Sequence, residues 1–242
     1  TVRFTIPEGY TVEQMAERLA AQNIVDKSLF LELIQQPQLF SSALLHHIPD
    51  EEAIKYRLEG YLFPETYELE QSTTEQELVA RMIAELERKL ELLPDDWQEQ
   101  MQAKDLDLHQ LLTLASMIER EVVLDEERPI VAGILYNRLD SGMLLQIDAT
   151  VQYVLGEQHE IVEYAHLEID DAYNTYQYAG LPPGPIASVS LDSIKAALYP
   201  EPTSYYFYVT KKDGSKAHYF AETYEEHQRN IALSEQNRSE RE

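Results

Sequence analysis

Two glutamates near the end of an apolar helical stretch are the residues best suited to acid–base chemistry. The stretch repeats apolar residues at the spacing of one helix face, namely Leu111, Leu114, Ala115, Ile118 and Val122. Ser116, Glu119 and Glu121 lie on or beside that face. Burial raises the pKa of a carboxyl group, which suits a general acid near neutral pH. Because Arg120 and Arg128 are close in sequence, two ordinary salt-bridged glutamates are the alternative.

Helical geometry alone does not choose between Glu119 and Glu121. Residues two apart on a helix point roughly 200° apart, so only one of the pair can face a given cleft. Both flank the apolar stripe at similar angles from its centre. The choice therefore needs information beyond the periodicity of this helix.

Composition and the absence of known motifs exclude several classes of function. A net charge of −25 argues against partners such as nucleic acid or an anionic membrane surface, since both favour a basic protein surface. The 242 residues include no cysteine, which excludes disulfides and thiolate metal sites. No zinc-protease, P-loop, serine-hydrolase or dinucleotide-binding motif occurs, and we expect no metal and no cofactor. Loops rich in Tyr, Asn, Gln and Thr instead suit sugar recognition.

The first part of the chain predicts a small α/β unit. Alternating residues at 2–6 predict a strand, Thr11 is a candidate cap for a helix that ends at Ala21, and Ser28 for a second helix. The aromatic segment 58–67 is expected to lead into the next domain. Its rings are expected to pack as core between the domains, with stacking on sugars as the alternative.

The rest of the chain predicts a mostly helical domain with one hairpin. Apolar periodicity and capping residues predict helices at 74–92, 97–103, 111–122, 130–139, 149–155, 190–198 and 222–233. Strands at 205–209 and 217–220 flank an Asp213-Gly214 turn. A Pro/Gly-rich loop spans 171–185, and such long loops are often functional. Residues 234–242 are expected to form a polar tail.

Six segments occur in a characteristic order along this chain. They are LASMIEREV at 114–122, ER at 127–128, NRL at 137–139, GMLLQIDATVQY at 142–153, YNTY at 173–176 and GLPPGPI at 180–186. One such motif would be weak evidence, but the ordered set resembles the YceG-like family of endolytic murein transglycosylases. The resemblance extends from about residue 4 to the end of the chain.

The resemblance implies an α+β fold of two domains. Residues 1–68 would form a LysM-like domain, in keeping with the strand–helix–helix order, and residues 69–242 the catalytic domain. The family normally carries an N-terminal membrane anchor. We therefore expect an extracytoplasmic portion whose only attachment to the cell membrane lies outside this chain. The first eleven residues read as folded sequence, so no signal peptide is expected, and no apolar run is long enough to cross a membrane.

The resemblance also implies a reaction on the glycan strands of peptidoglycan. One glutamate protonates the glycosidic oxygen and then takes the proton of the muramic C6 hydroxyl, which attacks its own C1. The product is a 1,6-anhydro sugar, and no water is consumed. Glu121 matches the catalytic position, which leaves Glu119 as a supporting or ion-paired residue. Cell-wall synthesis proteins are further expected partners.

Nine residues are candidates for substrate binding: Ser116, Asn137, Gln146, Asp148, Thr150, Tyr173, Asn174, Thr175 and Tyr176. For Asp148 the alternative is a helix cap, and for Asn137 a tie between helices. His218 is expected to be a hydrogen-bonded structural residue, although it could reach a cleft.

Two rival functions stay open. A non-catalytic cell-wall scaffold is favoured by departures from the family pattern, which normally has Pro at Ala149 and Asn-Pro-Gly near 188–190. The intact Glu121 and Gln146 favour an enzyme. A hydrolase that uses Asp148 as the base would instead release reducing-end sugars.

Overall fold

The computed structural model describes residues 1–156 and 162–241. The helices are α1 Val12–Ala21, α2 Lys27–Ile34, α3 Glu75–Leu90, α4 Trp97–Ala103, α5 Leu108–Glu121, α6 Arg128–Ser141, α7 Asp148–Leu155, α8 Leu191–Leu198 and α9 Tyr224–Arg241. The strands are β1 Val2–Thr5, β2 Thr66–Leu69, β3 Phe207–Thr210 and β4 His218–Ala221. They form two antiparallel sheets, β1 with β2 and β3 with β4. This mixture of helices and two small sheets agrees with the α+β prediction.

The N-terminal unit runs β1–α1–α2–β2. Thr11 caps α1 as predicted, because its hydroxyl accepts from the Gln14 backbone at 3.2 Å while the Gln14 side chain accepts from the Thr11 backbone at 3.0 Å. The cap predicted for α2 at Ser28 is wrong. Asp26 is the cap, and its carboxylate accepts from the Leu29 backbone at 2.8 Å.

The aromatic segment at 58–67 packs as core, as predicted. Tyr61 is fully buried, and Phe63 and Tyr67 are nearly so. The Tyr61 hydroxyl bonds to His109 Nδ1 at 2.9 Å, which ties the segment to α5. The segment then continues into β2, a strand that the sequence analysis missed. One continuous hydrophobic core includes residues from both predicted domains.

Helix α5 lies at the centre of the larger part and packs against α6, α7 and α8. Its apolar stripe is buried throughout, in agreement with the periodicity. Asp107 and Gln110 form a reciprocal capping box at its start. The helix ends at Glu121, and Val122 already has an extended backbone. Glu121 is therefore the last residue of a helix whose apolar face is buried in the core.

The C-terminal end of the chain differs from the prediction. Residues 234–241 continue α9 instead of forming a polar tail. Tertiary bonds explain this: the Ser234 hydroxyl donates to the Thr210 carbonyl at 2.6 Å, and Asn237 Nδ2 donates to the Lys211 carbonyl at 2.8 Å. The helix thereby supports the β3–β4 hairpin from behind. Among the described residues, no helix combines the length and the apolar character needed to cross a bilayer.

Candidate active site

An open cleft lies between the end of α5, the start of α7 and the β3–β4 hairpin, with an empty volume of about 1200 Å³ that includes solvent at its mouth. Its polar and charged lining consists of Arg120, Glu121, Arg138, Gln146, Asp148, Gln152, Tyr176, Tyr208, Thr210, His218 and His227. Such a lining offers many hydrogen-bonding groups, which suits a hydroxyl-rich ligand. Four of the predicted site residues line it: Glu121, Gln146, Asp148 and Tyr176.

Glu121 is a half-buried carboxyl group in the wall of this cleft. In the described part of the chain its hydrogen-bond partner is neutral, since the Tyr208 hydroxyl donates to Oε2 at 2.8 Å. Burial raises the pKa of Glu121 to about 7. The Tyr208 bond and the charge of Arg120 lower this pKa, whereas the charge of Asp148 raises it. A carboxyl group with this pKa can hold or release a proton near neutral pH.

Glu119 points away from the cleft and into the interface with α8. Its side chain is only 5% exposed, and Nη1 of Arg128 lies 3.4 Å from Oε2. The same oxygen accepts from the Ser190 backbone at 3.1 Å, the Ser190 hydroxyl at 2.6 Å and the Ser193 hydroxyl at 2.5 Å. Tertiary packing thus separates the two glutamates that helical geometry left equivalent.

Asp148 and Tyr176 form a hydrogen-bonded pair on the other wall. The Tyr176 hydroxyl donates to Asp148 Oδ1 at 2.5 Å. Asp148 does not cap α7, so that alternative is wrong: the capping position is Ile147, no side chain bonds there, and Asp148 is the first helical residue. Gln146 is exposed beside the pair, with a positive φ of 53°.

Three members of the predicted binding loop are buried instead of lining the cleft. Tyr173, Asn174 and Thr175 are each exposed by 2% or less. Asn174 Nδ2 donates to the carbonyls of Leu167 and Ile169, at 3.1 and 2.8 Å, because a buried amide requires partners. These three side chains are therefore buried, and of this motif only Tyr176 lines the cleft.

Ser116, Thr150 and Asn137 are likewise structural in their contacts. Ser116 is fully buried and accepts from the Ile186 backbone at 3.0 Å. The Thr150 hydroxyl, also fully buried, donates to the Ile147 carbonyl at 2.7 Å. Asn137 Nδ2 donates at 2.8 Å to the carbonyls of residues 203 and 205, just before β3. The alternative of a structural tie fits Asn137, and burial denies a ligand access to the other two.

Sequence reasoning missed several residues of the cleft. Tyr208 is brought to Glu121 only by the pairing of β3 with β4 and the packing of the hairpin, which no local pattern encodes. Arg120 Nη1 donates to the Gly9 carbonyl at 3.3 Å, so it links the N-terminal unit to the cleft. Arg138 Nε donates to the Tyr206 carbonyl at 2.7 Å and fixes the hairpin. Alternation along β3 was a signal available from sequence, since it puts Tyr208 and Thr210, which both line the cleft, on one face.

Histidine and acidic side chains in the described residues do not group as a metal site would require. The closest arrangement is a pair, His218 Nδ1 and Glu127 Oε2, at 2.6 Å. Both residues are buried, at 8% and 7% exposure. His218 also lines the cleft, so both statements made about it from sequence hold in this structure.

Comparison with known proteins agrees with the ordered motifs. The model of the YceG-like family matches residues 1–233. The chain is 35% identical over 245 residues to the endolytic murein transglycosylase of Streptococcus pneumoniae strain R6, covering 94% of this chain and 44% of that protein. It is 34% identical over 233 residues to the endolytic murein transglycosylase of Bacillus subtilis strain 168, covering 93% of this chain and 63% of that protein.

A solved structure has the same fold. The crystal structure of a yceG-like protein of Listeria monocytogenes superposes with a TM-score of 0.84 at 33% identity, covering 95% of this chain and 76% of that chain. This chain spans 44% to 63% of the length of the transglycosylases named above. The match over nearly the whole chain, by sequence and by structure, shows that this chain belongs to the YceG-like family.

Proposed function

We propose that this chain carries the active site of an endolytic lytic transglycosylase. It cleaves the bond between N-acetylmuramic acid and N-acetylglucosamine within peptidoglycan strands and leaves 1,6-anhydro ends. The observation that carries the proposal is Glu121, a half-buried carboxyl group in the wall of an open polar cleft. The names of the relatives from S. pneumoniae and B. subtilis support the same reaction.

Glu121 acts first as an acid. Because burial raises its pKa to about 7, a large fraction of the carboxyl groups is protonated at neutral pH. The Tyr208 hydroxyl occupies Oε2, which favours Oε1 as the oxygen that carries the proton. The proton passes to the glycosidic oxygen, and the bond from that oxygen to C1 of the muramic residue breaks.

A base then removes the proton of the C6 hydroxyl as its oxygen bonds to C1. The ionised Glu121 is the simplest acceptor, and the enzyme returns to its starting state. The attacking hydroxyl belongs to the same sugar, so it is already held close to C1 and no second carboxylate is needed to bring in water. Asp148, whose negative charge raises the pKa of Glu121, helps to keep the acid protonated.

The exposed cleft residues are proposed to bind the sugar. Gln146, Asp148 and Tyr176 line one wall and offer hydrogen-bonding groups together with an aromatic ring. The buried candidates Thr150 and Thr175 support that wall from behind, since their hydroxyls bond to each other at 2.9 Å. Glu119 is proposed to act only through the fold.

Residues 1–68 are proposed to form a LysM-like domain and residues 69–242 the catalytic domain. The β1–α1–α2–β2 order with one antiparallel pair supports this division to within one residue, since β2 ends at Leu69. The two parts are well coupled, because the Gly9 backbone N–H donates to the Ser188 carbonyl at 3.1 Å and Ser188 N–H donates to the Tyr10 carbonyl at 2.7 Å. Glycan on this domain would therefore lie in a fixed relation to the cleft.

The expected setting is extracytoplasmic, where peptidoglycan is found. We propose that an anchor outside this chain attaches the protein to the cell membrane, and that proteins of cell-wall synthesis are further partners. A net charge of −25 supports neither a nucleic-acid partner nor direct docking on anionic lipid.

The test is the chemistry of the new ends. Purified, uncrosslinked glycan strands are incubated with the protein in water enriched in ¹⁸O, and the products are analysed by mass spectrometry. We expect anhydro ends, one water lighter than hydrolysis products, without ¹⁸O. Reducing ends labelled with ¹⁸O would instead identify a hydrolase, for which Asp148 is the candidate base. Binding of strands without cleavage would favour the non-catalytic scaffold.

A further inference from the structure

A buried carboxylate–imidazole pair, of which the histidine lines the cleft, has no part in the mechanism above. Glu127, in the short turn before α6, meets His218, the first residue of β4. Glu127 Oε2 lies 2.6 Å from His218 Nδ1, and Oε1 accepts from the His218 backbone N–H at 3.0 Å. Glu127 belongs to the ER motif at 127–128, to which the sequence analysis assigned no role.

The pair fixes which nitrogen of His218 is available. A carboxylate on Nδ1 holds a proton there, so the neutral ring keeps its lone pair on Nε2. The ring lines the cleft, where Nδ1 is already taken by Glu127. The same arrangement orients a histidine base in other enzymes, with the carboxylate stabilising the imidazolium that forms.

His218 and Glu121 flank the same tyrosine. The His218 ring packs edge-on against the Tyr208 ring, at a centroid distance of 5.5 Å and an angle of 80°. The Tyr208 hydroxyl in turn bonds to Glu121. An acid and a potential base thus line one cleft, and each contacts Tyr208.

We propose that His218, held by Glu127, is the base that takes the C6 hydroxyl proton of the muramic residue. The proposal rests on the proposed function and divides its proton transfers between two residues. Glu121 gives its proton to the leaving glycosidic oxygen, and His218 Nε2 receives the C6 proton as the C6 oxygen bonds to C1. Afterwards His218 loses one proton to solvent and Glu121 gains one, so no other reactant is consumed.

The charges around His218 determine how activity depends on pH. Two titratable groups contact His218 directly: Glu127, before α6, and Tyr208 of β3. Those that share its cleft are Arg120 and Glu121 of α5, Arg138 of α6, Asp148 of α7, Tyr176 in the loop before α8, and His227 of α9. Activity requires neutral His218 together with protonated Glu121. It should therefore decline on both sides of an optimum, whereas a mechanism with Glu121 alone declines only toward high pH.

The first experiment compares the wild type with His218→Gln, and uses His46→Gln as a matched control at an exposed histidine. Release of anhydro ends is measured from about pH 5 to about pH 9, with the thermal midpoint of each variant. We expect kcat of His218→Gln to fall about 10²- to 10³-fold with little change in KM. Its residual activity should lack the decline toward acid pH, whereas His46→Gln should match the wild type.

Glu127→Gln is the second variant, since it keeps the size and an acceptor oxygen but removes the charge. Without that charge the imidazolium that forms on His218 is no longer stabilised, so kcat should fall at least about tenfold with little change in KM. A purely structural role of the pair would lower the thermal midpoint and leave kcat of the folded fraction unchanged. That outcome, for either variant, overturns the proposal.

Two further outcomes also overturn it and leave the proposed function standing. One is full activity of His218→Gln while Glu121→Gln is inactive, and the other is an acid-side decline that persists in His218→Gln and disappears in His227→Gln. If the wild type releases no anhydro ends, the proposed function fails and this inference with it.

Discussion

Two glutamates near the end of α5 have opposite surroundings, although only one residue separates them. Glu119 is surrounded by Arg128 and the donors of Ser190 and Ser193, in the interface with α8. Glu121, two residues later, faces a cleft and has a tyrosine hydroxyl as its partner. The negative charge of Glu119 is balanced by an arginine and by hydrogen-bond donors, whereas burial raises the pKa of Glu121 to about 7.

The difference teaches that burial alone does not identify an acid. Glu59 is more deeply buried than Glu121, at 1% exposure, and burial raises its pKa to about 8. Its carboxylate accepts from the Val12 backbone at 3.1 Å and from the Tyr153 hydroxyl at 3.1 Å, inside the core. Of these two carboxyl groups Glu121 alone lines the cleft, so we expect Glu59 to affect stability and not the reaction.

The largest effect should come from Glu121→Gln. Loss of the proton donor is expected to reduce the release of anhydro ends by about 10³-fold or more. Stability should be unchanged or slightly increased, because a partly desolvated carboxyl group is removed. Product mass spectrometry and a thermal melt of the same preparation measure both. Retained activity in this variant would show that Glu121 is not the acid.

Glu119→Ala should have the reverse profile. Removal of Glu119 leaves the buried Arg128 with one carboxylate, that of the exposed Asp125 at 3.0 Å from Nε, and we expect a loss of about 3 kcal/mol in the free energy of unfolding. The folded fraction should keep activity within a few-fold of the wild type. Urea unfolding and activity per folded molecule test this, and a stable but inactive variant would mean that Glu119 is the acid.

Glu59→Gln should change how stability depends on pH. Because the pKa of Glu59 is raised in the folded state, its contribution is fully present below the unfolded pKa of about 4.5 and is lost as pH rises through about 8. The change is on the order of 1.4 kcal/mol for each unit of pKa shift. Thermal melts from pH 5 to pH 9 should fall less steeply for the variant. Equal slopes would show that Glu59 is ionised in the fold.

The smallest effects should come from two neighbours of Glu121, in opposite directions. The Tyr208 hydroxyl bond lowers the pKa of Glu121, so Tyr208→Phe should move the alkaline loss of activity to higher pH. The charge of Asp148 raises that pKa, so Asp148→Asn should move it to lower pH and reduce activity several-fold at pH 8. Shifts of both variants in the same direction would contradict this account.

Local signals explain why much of the fold was predictable. The capping boxes at Thr11 and Thr74 provide acceptors for backbone N–H groups at the start of their own helices. The sequence alone therefore indicates where α1 and α3 begin. Apolar periodicity gave the buried faces of α3 and α5. These features depend on residues within four positions of one another, and the structure agrees with them.

The site depended on contacts between distant residues, and there the sequence analysis was weaker. Ser193 meets Glu119 and Tyr208 meets Glu121 across more than 70 positions, so no helical pattern could distinguish the two glutamates. The buried Asn174 bonds to backbone groups: its amide nitrogen donates to the carbonyls of Leu167 and Ile169, and its side-chain oxygen accepts from the Tyr176 N–H. The sequence analysis expected this loop to bind substrate, and of its four residues only Tyr176 lines the cleft.

The most direct test of the central claim is a titration of Glu121 itself. The protein is labelled with ¹³C at glutamate side-chain carboxyl groups, and the carboxyl shifts are followed by NMR between pH 3 and pH 10, with Glu121→Gln and Glu59→Gln to assign the signals. We predict a signal with a midpoint at about 7 that disappears only in Glu121→Gln. A midpoint near the ordinary value of 4.5 for Glu121 would contradict the account.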